Sequence, residues 1–308
     1  MAKKTAPALE PETRCGFAAV IGAPNAGKST LVNALVGAKV SIVTHKAQTT
    51  RTRMRGIALE GNAQIILVDT PGIFAPKRRL DRAMVEAAWT EAREADLVVL
   101  VADAARGFDD VADPVLRQAA ELKIPLVLTL NKIDKIQKEK LLALAREASE
   151  RLKPDGLFMI SALSSDGVAD LKSYLASRMP ASVWLFPEDQ IADAPLRQWA
   201  AEITREKLFL RLHDEIPYSS TVETTDWKQL RDGSVRIEQT VFVERESQRK
   251  IVLGAKGQAI KQISMEAREE ITEGVEGPVH LFLFVKVREN WSDDPERYRE
   301  MGLEFPKK

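Results

Sequence analysis

Short apolar runs alternate with segments of mixed polarity through the first 180 residues. The runs are rich in Val, Ile and Leu and lie at 17–21, 65–68, 97–102, 126–130 and 157–160. Unbroken apolar runs are typical of strands buried on both faces of a parallel sheet. Segments of helical composition separate them at 79–93, 112–122 and 138–152. The alternation predicts an α/β fold with a doubly wound, mostly parallel sheet over 14–180.

The pattern changes beyond this domain. Three prolines fall within 179–195, and we expect an interdomain linker at 181–197. The remaining sequence predicts a helix from Leu196 and then a hairpin with Asp232-Gly233 at its turn. A short basic helix, a glycine loop, a second helix and a last strand are expected to follow in that order. The hairpin strands are expected at 219–225 and 235–244, the second helix at 258–271 and the last strand at 279–287. This α-β-β-α-α-β order predicts a small α+β domain at 198–290, followed by a tail at 291–308.

Composition narrows the class of protein. The chain has 308 residues, and its Lys+Arg and Asp+Glu counts are both 45, so a polyanionic partner has to be argued from local charge. No apolar run approaches the roughly 18 residues of a membrane span. The polar start of the chain is unlike a signal peptide, and we expect a disordered arm at 1–13. Cys15 is the single cysteine; its apolar surroundings favour a buried small side chain over a reactive thiol.

Residues 22–29 read GAPNAGKS and match G-x-x-x-x-G-K-[ST] between a predicted strand and helix. Backbone N–H groups at such a helix N-terminus bind phosphate, and glycines permit its close approach. Lys28 is expected to reach the β- and γ-phosphates, and Ser29 to bind Mg²⁺. The phosphate-side residues are Gly22, Ala23, Pro24, Asn25, Ala26, Gly27, Lys28, Ser29 and Thr30.

Three further segments end predicted strands, where open α/β sheets bind ligands. In the first, Asp69-Thr70-Pro71-Gly72 followed by Ile73, Asp69 can hold Mg²⁺ through water and the Gly72 N–H can meet the γ-phosphate. In the second, Asn131-Lys132-Ile133-Asp134, the Asp134 carboxylate can accept two hydrogen bonds from guanine, while Asn131 braces the loop and Lys132 covers the base. In the third, Ser161-Ala162-Leu163, the Ala162 N–H can meet guanine O6. The four segments together predict a GTP and Mg²⁺ site.

These motifs resemble those of the Ras-like GTPases over residues 15–180. The resemblance implies a first switch at 46–51, KAQTTR, in which one threonine meets Mg²⁺. We expect Thr50, with Thr49 as the alternative; both could instead merely solvate a loop. Lys28, Thr50 and Gly72 are the expected catalytic residues.

Ile73 departs from the Ras-like pattern, because it stands where those enzymes carry a water-orienting glutamine. We therefore expect slow intrinsic hydrolysis that is assisted by a partner or by a cation. Asn25 could coordinate K⁺, as similar loops in TrmE-like proteins do, or simply cap its loop.

A second motif, Gly254-Ala255-Lys256-Gly257, lies in a locally positive stretch between two predicted helices. Such a G-x-x-G loop clamps the backbone of single-stranded RNA in KH domains. Ile251, Ile260 and Ile263 could form an apolar floor for bases or an ordinary core. The expected RNA-binding residues are Arg249, Lys250, Gly254, Ala255, Lys256, Gly257 and Lys261.

A Ras-like domain followed by a type II KH domain resembles the Era family of bacterial GTPases. Similar segments outside the motifs are LFPEDQ at 185–190, REKL at 205–208, DEIPYS at 214–219 and VKVRENWSDDPERYR at 285–299. The resemblance implies binding to the 3′ end of 16S ribosomal RNA, a role in small (30S) subunit assembly and rRNA processing, and a cytoplasmic location with weak peripheral contact to the inner membrane. We expect a monomer.

Three alternatives remain open from the sequence. The first is a metabolic P-loop enzyme that uses ATP, which NKID at 131–134 disfavours. The second is an RNA-binding scaffold with a vestigial GTPase, which Ile73 favours. The third is another GTPase role, such as tRNA modification.

Overall fold

The computed structural model describes residues 13–46, 49–51, 54–275 and 277–306, without the side chains of 292 and 300. These residues form two compact units. The first takes the described part of Met1–Lys39 together with Arg55–Asp69 and Trp89–Asp193. The second takes the described parts of Val40–Met54, Thr70–Ala88 and Ala194–Lys308. The division thus differs from the sequence-based boundaries: two segments from within 14–180 belong to the second unit, and most of 181–197 belongs to the first.

The first unit is built on a sheet of six strands in the order β2-β3-β1-β4-β5-β6. The strands are β1 (Arg14–Ile21), β2 (Met54–Glu60), β3 (Ala63–Asp69), β4 (Leu97–Asp103), β5 (Leu126–Asn131) and β6 (Gly156–Met159). The helices are α1 (Lys28–Val36), α2 (Arg79–Glu94), α3 (Ala112–Ala120), α4 (Lys138–Leu152) and α5 (Val168–Arg178), of which α2 contributes to both units. Four of the strand pairs are parallel, which confirms the predicted α/β class.

Strand β2 was not among the predicted strands, because Arg55, Gly56 and Glu60 interrupt its apolar pattern. It lies at the edge of the sheet and is covered by residues of the proline-containing segment 179–195. The Ile57 N–H donates to the Ile191 carbonyl at 2.9 Å, and the Asp193 N–H donates to the Arg55 carbonyl at 3.0 Å. This pairing occupies an otherwise open strand edge.

The second unit contains the predicted α-β-β-α-α-β order. Its elements are α6 (Leu196–Arg211), β7 (Ser220–Gln229), β8 (Val235–Val243), α7 (Glu246–Leu253), α8 (Gln258–Gly274), β9 (Val279–Val287) and α9 (Pro295–Glu300). β8 pairs antiparallel with β7 and parallel with β9. The predicted turn closes the hairpin: Gly233 has φ 82°, and the Leu230 N–H donates to the Ser234 carbonyl at 2.8 Å.

Two segments from the first half of the chain pack within the second unit. Residues at the start of α2, including Leu80 and Met84, cluster with the buried Trp291 and Tyr298 of the C-terminal tail. The described part of the other segment, Val40–Met54, covers α6: the Val43 N–H donates to Glu206 at 2.7 Å. Because α6 is covered on more than one side, polar residues in its middle are buried along with the apolar ones.

Arg51 anchors the segment Val40–Met54. The residue is 3% exposed. Its guanidinium donates to the carbonyls of Ser220 at 2.8 Å, Tyr218 at 2.9 Å and Pro217 at 3.2 Å. Burial lowers the pKa of Arg51 to about 9, and the nearby Arg205 adds to this shift. Within the described part of the chain, no helix is long and apolar enough to cross a membrane.

Candidate nucleotide and RNA sites

Two glycines of the phosphate loop occupy positions that no side chain can share. Gly22 and Gly27 have φ of 150° and 96°. A Cβ on Gly22 would lie 2.2 Å from the Val101 carbonyl oxygen, and one on Gly27 would lie 2.2 Å from Nδ2 of Asn131. The G-x-x-x-x-G spacing therefore reflects close backbone packing as well as access for phosphate.

The Lys28 side chain is buried at the start of α1. Its Nζ donates to the carbonyls of Ala23 at 2.9 Å and Gly22 at 3.1 Å. Burial lowers the pKa of Lys28 to about 8, although the negative charge of Asp69 opposes this shift. The amine is thus held inside the loop and is still mostly charged near pH 7.

Ser29 and Asp69, the two residues expected to hold Mg²⁺ on this side of the site, are in direct contact. The Ser29 hydroxyl donates to Oδ2 of Asp69 at 2.7 Å, and the carboxylate is fully buried at the end of β3. A hydroxyl and a carboxylate are oxygen donors of the kind that Mg²⁺ prefers. The donor set therefore fits the ion.

Asn131 joins the phosphate side of the site to the base side. It is 2% exposed at the end of β5. Its Nδ2 donates to the Ala26 carbonyl at 2.8 Å, and its Oδ1 accepts from the N–H groups of Lys132 at 2.8 Å and Ala162 at 2.9 Å. One buried side chain thus links three strand-end segments.

The remaining base-side residues surround this link. Asp134 is exposed on a 3₁₀ turn at Ile133–Lys135, where its carboxylate can accept from a base. Ser161 is buried, whereas Leu163 is 81% exposed. The Ala162 N–H, expected to meet guanine O6, donates to Asn131 in this structure, so a contact with O6 would require this bond to be shared or exchanged.

The Lys132 amine makes an ion pair that the sequence analysis did not foresee. It lies 2.6 Å from Oδ2 of Asp103, at the end of β4, and donates to the Asn25 carbonyl at 2.6 Å. Parallel neighbours end at the same sheet edge, and the register that places Asp103 beside Asn131 brings its carboxylate to Lys132.

The predicted switch residues belong to the second unit. Thr49 and Thr50 are both buried. The Thr49 hydroxyl donates to the Lys46 carbonyl at 2.8 Å and lies 2.6 Å from the hydroxyl of Thr44. Thr70, Pro71, Gly72 and Ile73 are buried as well. The roles assigned to these residues at the nucleotide remain predictions.

The G-x-x-G loop lies between α7 and α8 and exposes Ala255 and Lys256. Gly254 has φ 72°, and a Cβ there would lie 2.6 Å from Cβ of Ala259. Gly257 has φ 75° but open space around it. The first glycine is therefore required by packing, and the second by backbone conformation alone.

A groove of about 380 Å³ lies beside the first turns of α8 and along the edge strand β9. Its lining includes Ile260, Lys261, Arg268, Phe282 and Phe284. Positive side chains beside an apolar surface suit phosphates and stacked bases together. The two phenylalanines were missed, although each is nearly half exposed on a strand whose residues alternate between the two sides of the sheet.

The expected RNA floor needs one correction. Ile263 is fully buried in the core because its turn of α8 faces the sheet, whereas Ile251 is 52% exposed and Ile260 lines the groove. Arg249 also has a structural role: its Nε donates to the Val285 carbonyl at 3.2 Å, which ties α7 to β9. Lys250 and Lys261 are exposed.

A phosphate loop, a contacting Ser29–Asp69 pair and a base-side loop lie on an α/β sheet, and a small domain with a G-x-x-G loop follows. Together these features define a P-loop GTPase with an RNA-binding domain. Family comparison agrees. Residues 17–132 match the family described as 50S ribosome-binding GTPase, and residues 215–292 match the KH domain family.

Curated relatives identify the particular family. The chain is 64% identical to GTPase Era of Afipia carboxidovorans over 96% of both chains, and 62% identical to GTPase Era of Brucella suis over 96% of this chain and 95% of that one. The chain belongs to the GTPase Era family; it binds GTP and GDP and hydrolyses GTP.

Solved structures extend the match to the fold. Era of Aquifex aeolicus bound to GDP·AlF4⁻ has a TM-score of 0.89 at 37% identity. An Era structure in complex with MgGDPNP and nucleotides 1506–1542 of 16S ribosomal RNA also has a TM-score of 0.89, at 38% identity. Each match covers 94% of this chain and 99% of the other.

Proposed function

We propose that this GTPase binds the 3′ end of 16S ribosomal RNA through its KH groove and acts in assembly of the small ribosomal subunit and in rRNA processing. The observation that carries the proposal is the groove itself, where Lys261 and Arg268 border an apolar surface that begins beside the G-x-x-G loop. The solved relative that holds nucleotides 1506–1542 of 16S rRNA supports the same partner.

The test is a charge reversal at the loop. Ala255→Asp combined with Lys256→Asp sets negative charge against the RNA backbone, and both positions are exposed, so the fold is retained. We expect affinity for a single-stranded RNA of the 16S 3′ end to be lost while GDP affinity is unchanged. Arg231→Asp, at an exposed position in the β7–β8 turn, is the control. Equal RNA affinity of the double variant and the control would refute the clamp.

The nucleotide roles follow from the first unit. We assign Lys28 to the β- and γ-phosphates, Ser29 and Asp69 to Mg²⁺, and Asn131 and Asp134 to the guanine side. Thr50 as a further ligand of Mg²⁺ and the Gly72 N–H as a donor to the γ-phosphate complete the proposal. When bound, Mg²⁺ neutralises charge that develops on the phosphate oxygens.

Base selection is tested at Asp134. Asp134→Asn replaces the acceptor that guanine requires, and we expect the preference to move from guanine to xanthine nucleotides. Competition between labelled GDP and unlabelled xanthosine diphosphate measures the change. Unchanged guanine selectivity would remove Asp134 from this role.

Hydrolysis requires help, because Ile73 is apolar and buried and cannot orient water. We propose K⁺ held by Asn25 as one source. Asn25 has φ 63°, so Asn25→Gly removes the side-chain oxygen without straining the backbone. We expect GTP turnover in KCl to exceed turnover in NaCl, and the variant to lose this difference while it still binds GDP. Equal stimulation of variant and wild type would exclude Asn25.

The alternative that the sequence leaves open for this GTPase is a role on tRNA. Crosslinking in cells with sequencing of the attached RNA separates the 16S role from a role on tRNA.

We further propose a cytoplasmic monomer that makes weak peripheral contact with the inner membrane. Sedimentation of the full chain tests the first part and flotation with anionic vesicles tests the second. A sedimenting dimer, or protein that remains wholly unbound to vesicles, would contradict the respective part.

A further inference from the structure

A cavity of about 290 Å³ lies in the second unit between α6 and β7, away from the G-x-x-G loop. Four arginines line it, against the two carboxylates of Glu202 and Glu223. The arginines are Arg51, Arg197, Arg205 and Arg297. We call this cavity with its four guanidinium groups the arginine pocket. Its lining carries an excess of positive charge.

Two of the four arginines are paired with the two carboxylates. Arg205 contacts Glu202, and Arg297 contacts Glu223. Within the described part of the chain, Arg51 and Arg197 have no such ion pair. Arg51 donates to neutral backbone carbonyls, and Arg197 is exposed at the first turn of α6. The lining therefore keeps a net positive charge, although Glu202 and Asp81 also attract Arg51 at longer range.

Arg205 supplies a second, independent observation. The residue is 2% exposed, and its Nε and Nη2 contact Glu202. Its Nη1 is buried without a hydrogen-bond acceptor among the residues that the structure describes. A buried donor without an acceptor is costly. Arg205 lines the pocket, so a rotation of its guanidinium that turns Nη1 toward the cavity would let a ligand there supply the missing acceptor.

We propose that the arginine pocket binds a phosphate group. Guanidinium groups bind phosphate oxygens with paired, charge-assisted hydrogen bonds. A water molecule takes up about 30 Å³, so the cavity has the volume of several water molecules. This is enough room for a phosphate and the sugar attached to it. The phosphate can come from a free phosphomonoester or from the backbone of a nucleic acid. Burial and the neighbouring Arg205 both lower the pKa of Arg51, and a bound anion opposes both effects.

The parent protein of the experiment is the full chain with Ala255→Asp and Lys256→Asp, two substitutions that suppress RNA binding in the groove. It is saturated with GDP and Mg²⁺. Uridine 5′-monophosphate is titrated in by calorimetry at low salt. Arg197 is exposed, so Arg197→Glu and Arg197→Gln leave the core intact; Arg231→Glu is the matched control. We expect both Arg197 variants to weaken binding by at least about tenfold, and the control to match the parent within about twofold. No binding by the parent, or equal binding by the Arg197 variants and the control, overturns the proposal.

A second titration distinguishes the sources of phosphate. A four-nucleotide oligouridylate with hydroxyl ends carries only phosphodiesters. If it binds and Arg197→Glu removes that binding, the pocket takes a nucleic-acid backbone. If only the monophosphate binds and shows the Arg197 dependence, the pocket takes a free phosphomonoester. If neither shows that dependence, the pocket is not a phosphate site.

Discussion

Binding of GDP should take up a proton at alkaline pH, because the Lys28 amine has its pKa lowered to about 8 by burial. Phosphate oxygens next to the amine favour its charged form, so we expect the pKa of Lys28 to rise well above 8 in the complex. In the free protein, about one amine in ten is neutral at pH 7 and about half are neutral at pH 8. Binding at pH 8 should therefore take up about half a proton.

The sign of the pH dependence follows from the two pKa values. The pKa of the Lys28 amine is lower in the free protein than in the complex. The affinity for GDP is therefore greatest below pH 8, where the amine is charged in both states. Affinity then falls as pH rises through 8 toward the pKa of the complex, by at most about tenfold per pH unit.

Calorimetry at pH 8 in two buffers with different ionisation enthalpies measures the uptake directly. Lys28→Arg is the control, because a guanidinium stays protonated throughout this range. We expect the variant, where it binds GDP, to take up no proton at this position. No uptake by the wild type, or equal uptake by the variant, would refute the argument.

Three further predictions concern single side chains. Asn131→Ala removes three buried hydrogen bonds of about 1 kcal/mol each, so GDP affinity measured by equilibrium titration should fall by about a hundredfold; a change below threefold would contradict the bracing role. Arg51→Met leaves three carbonyls without their donor, and urea unfolding should show a loss of about 2–4 kcal/mol; an unchanged midpoint and slope would count against the anchor. Gly254→Ala meets Cβ of Ala259 at 2.6 Å and should weaken RNA binding more than Gly257→Ala, which has open space; equal affinities in a filter-binding assay would reject the packing argument.

Most of the fold could be predicted where local pattern and tertiary environment agree. The buried strands β1, β3, β4 and β5 read as unbroken apolar runs, and Asp232-Gly233 supplies the turn that the hairpin needs. Strand β2 could not be predicted from its pattern, because its pairing with residues near Ile191 depends on a distant part of the chain.

Helix α6 shows the same limit. The spacing of Trp199, Ile203 and Leu210 predicts one buried face, yet Leu210 is 41% exposed while Phe209 is fully buried. The described part of Val40–Met54 covers another side of the helix, and no pattern in the local sequence of α6 indicates this contact.

The candidate nucleotide site could be predicted at the level of motifs, because each motif ends a parallel strand and such ends share one edge. The Lys132–Asp103 pair required the register of β4 beside β5. The RNA groove was foreseen at its loop but not along β9, because alternation alone does not say which side of an edge strand faces solvent.

The double attachment of Asn131 has a consequence for nucleotide exchange. Its amide holds the Ala26 carbonyl and the Ala162 N–H at once, so the loop that surrounds the phosphates cannot open without disturbing the loop beside the base. An exchange factor that displaced this one amide would release both ends of the nucleotide together. Rapid loss of GDP is therefore expected to occur in a single step rather than by separate release of the phosphates and the base.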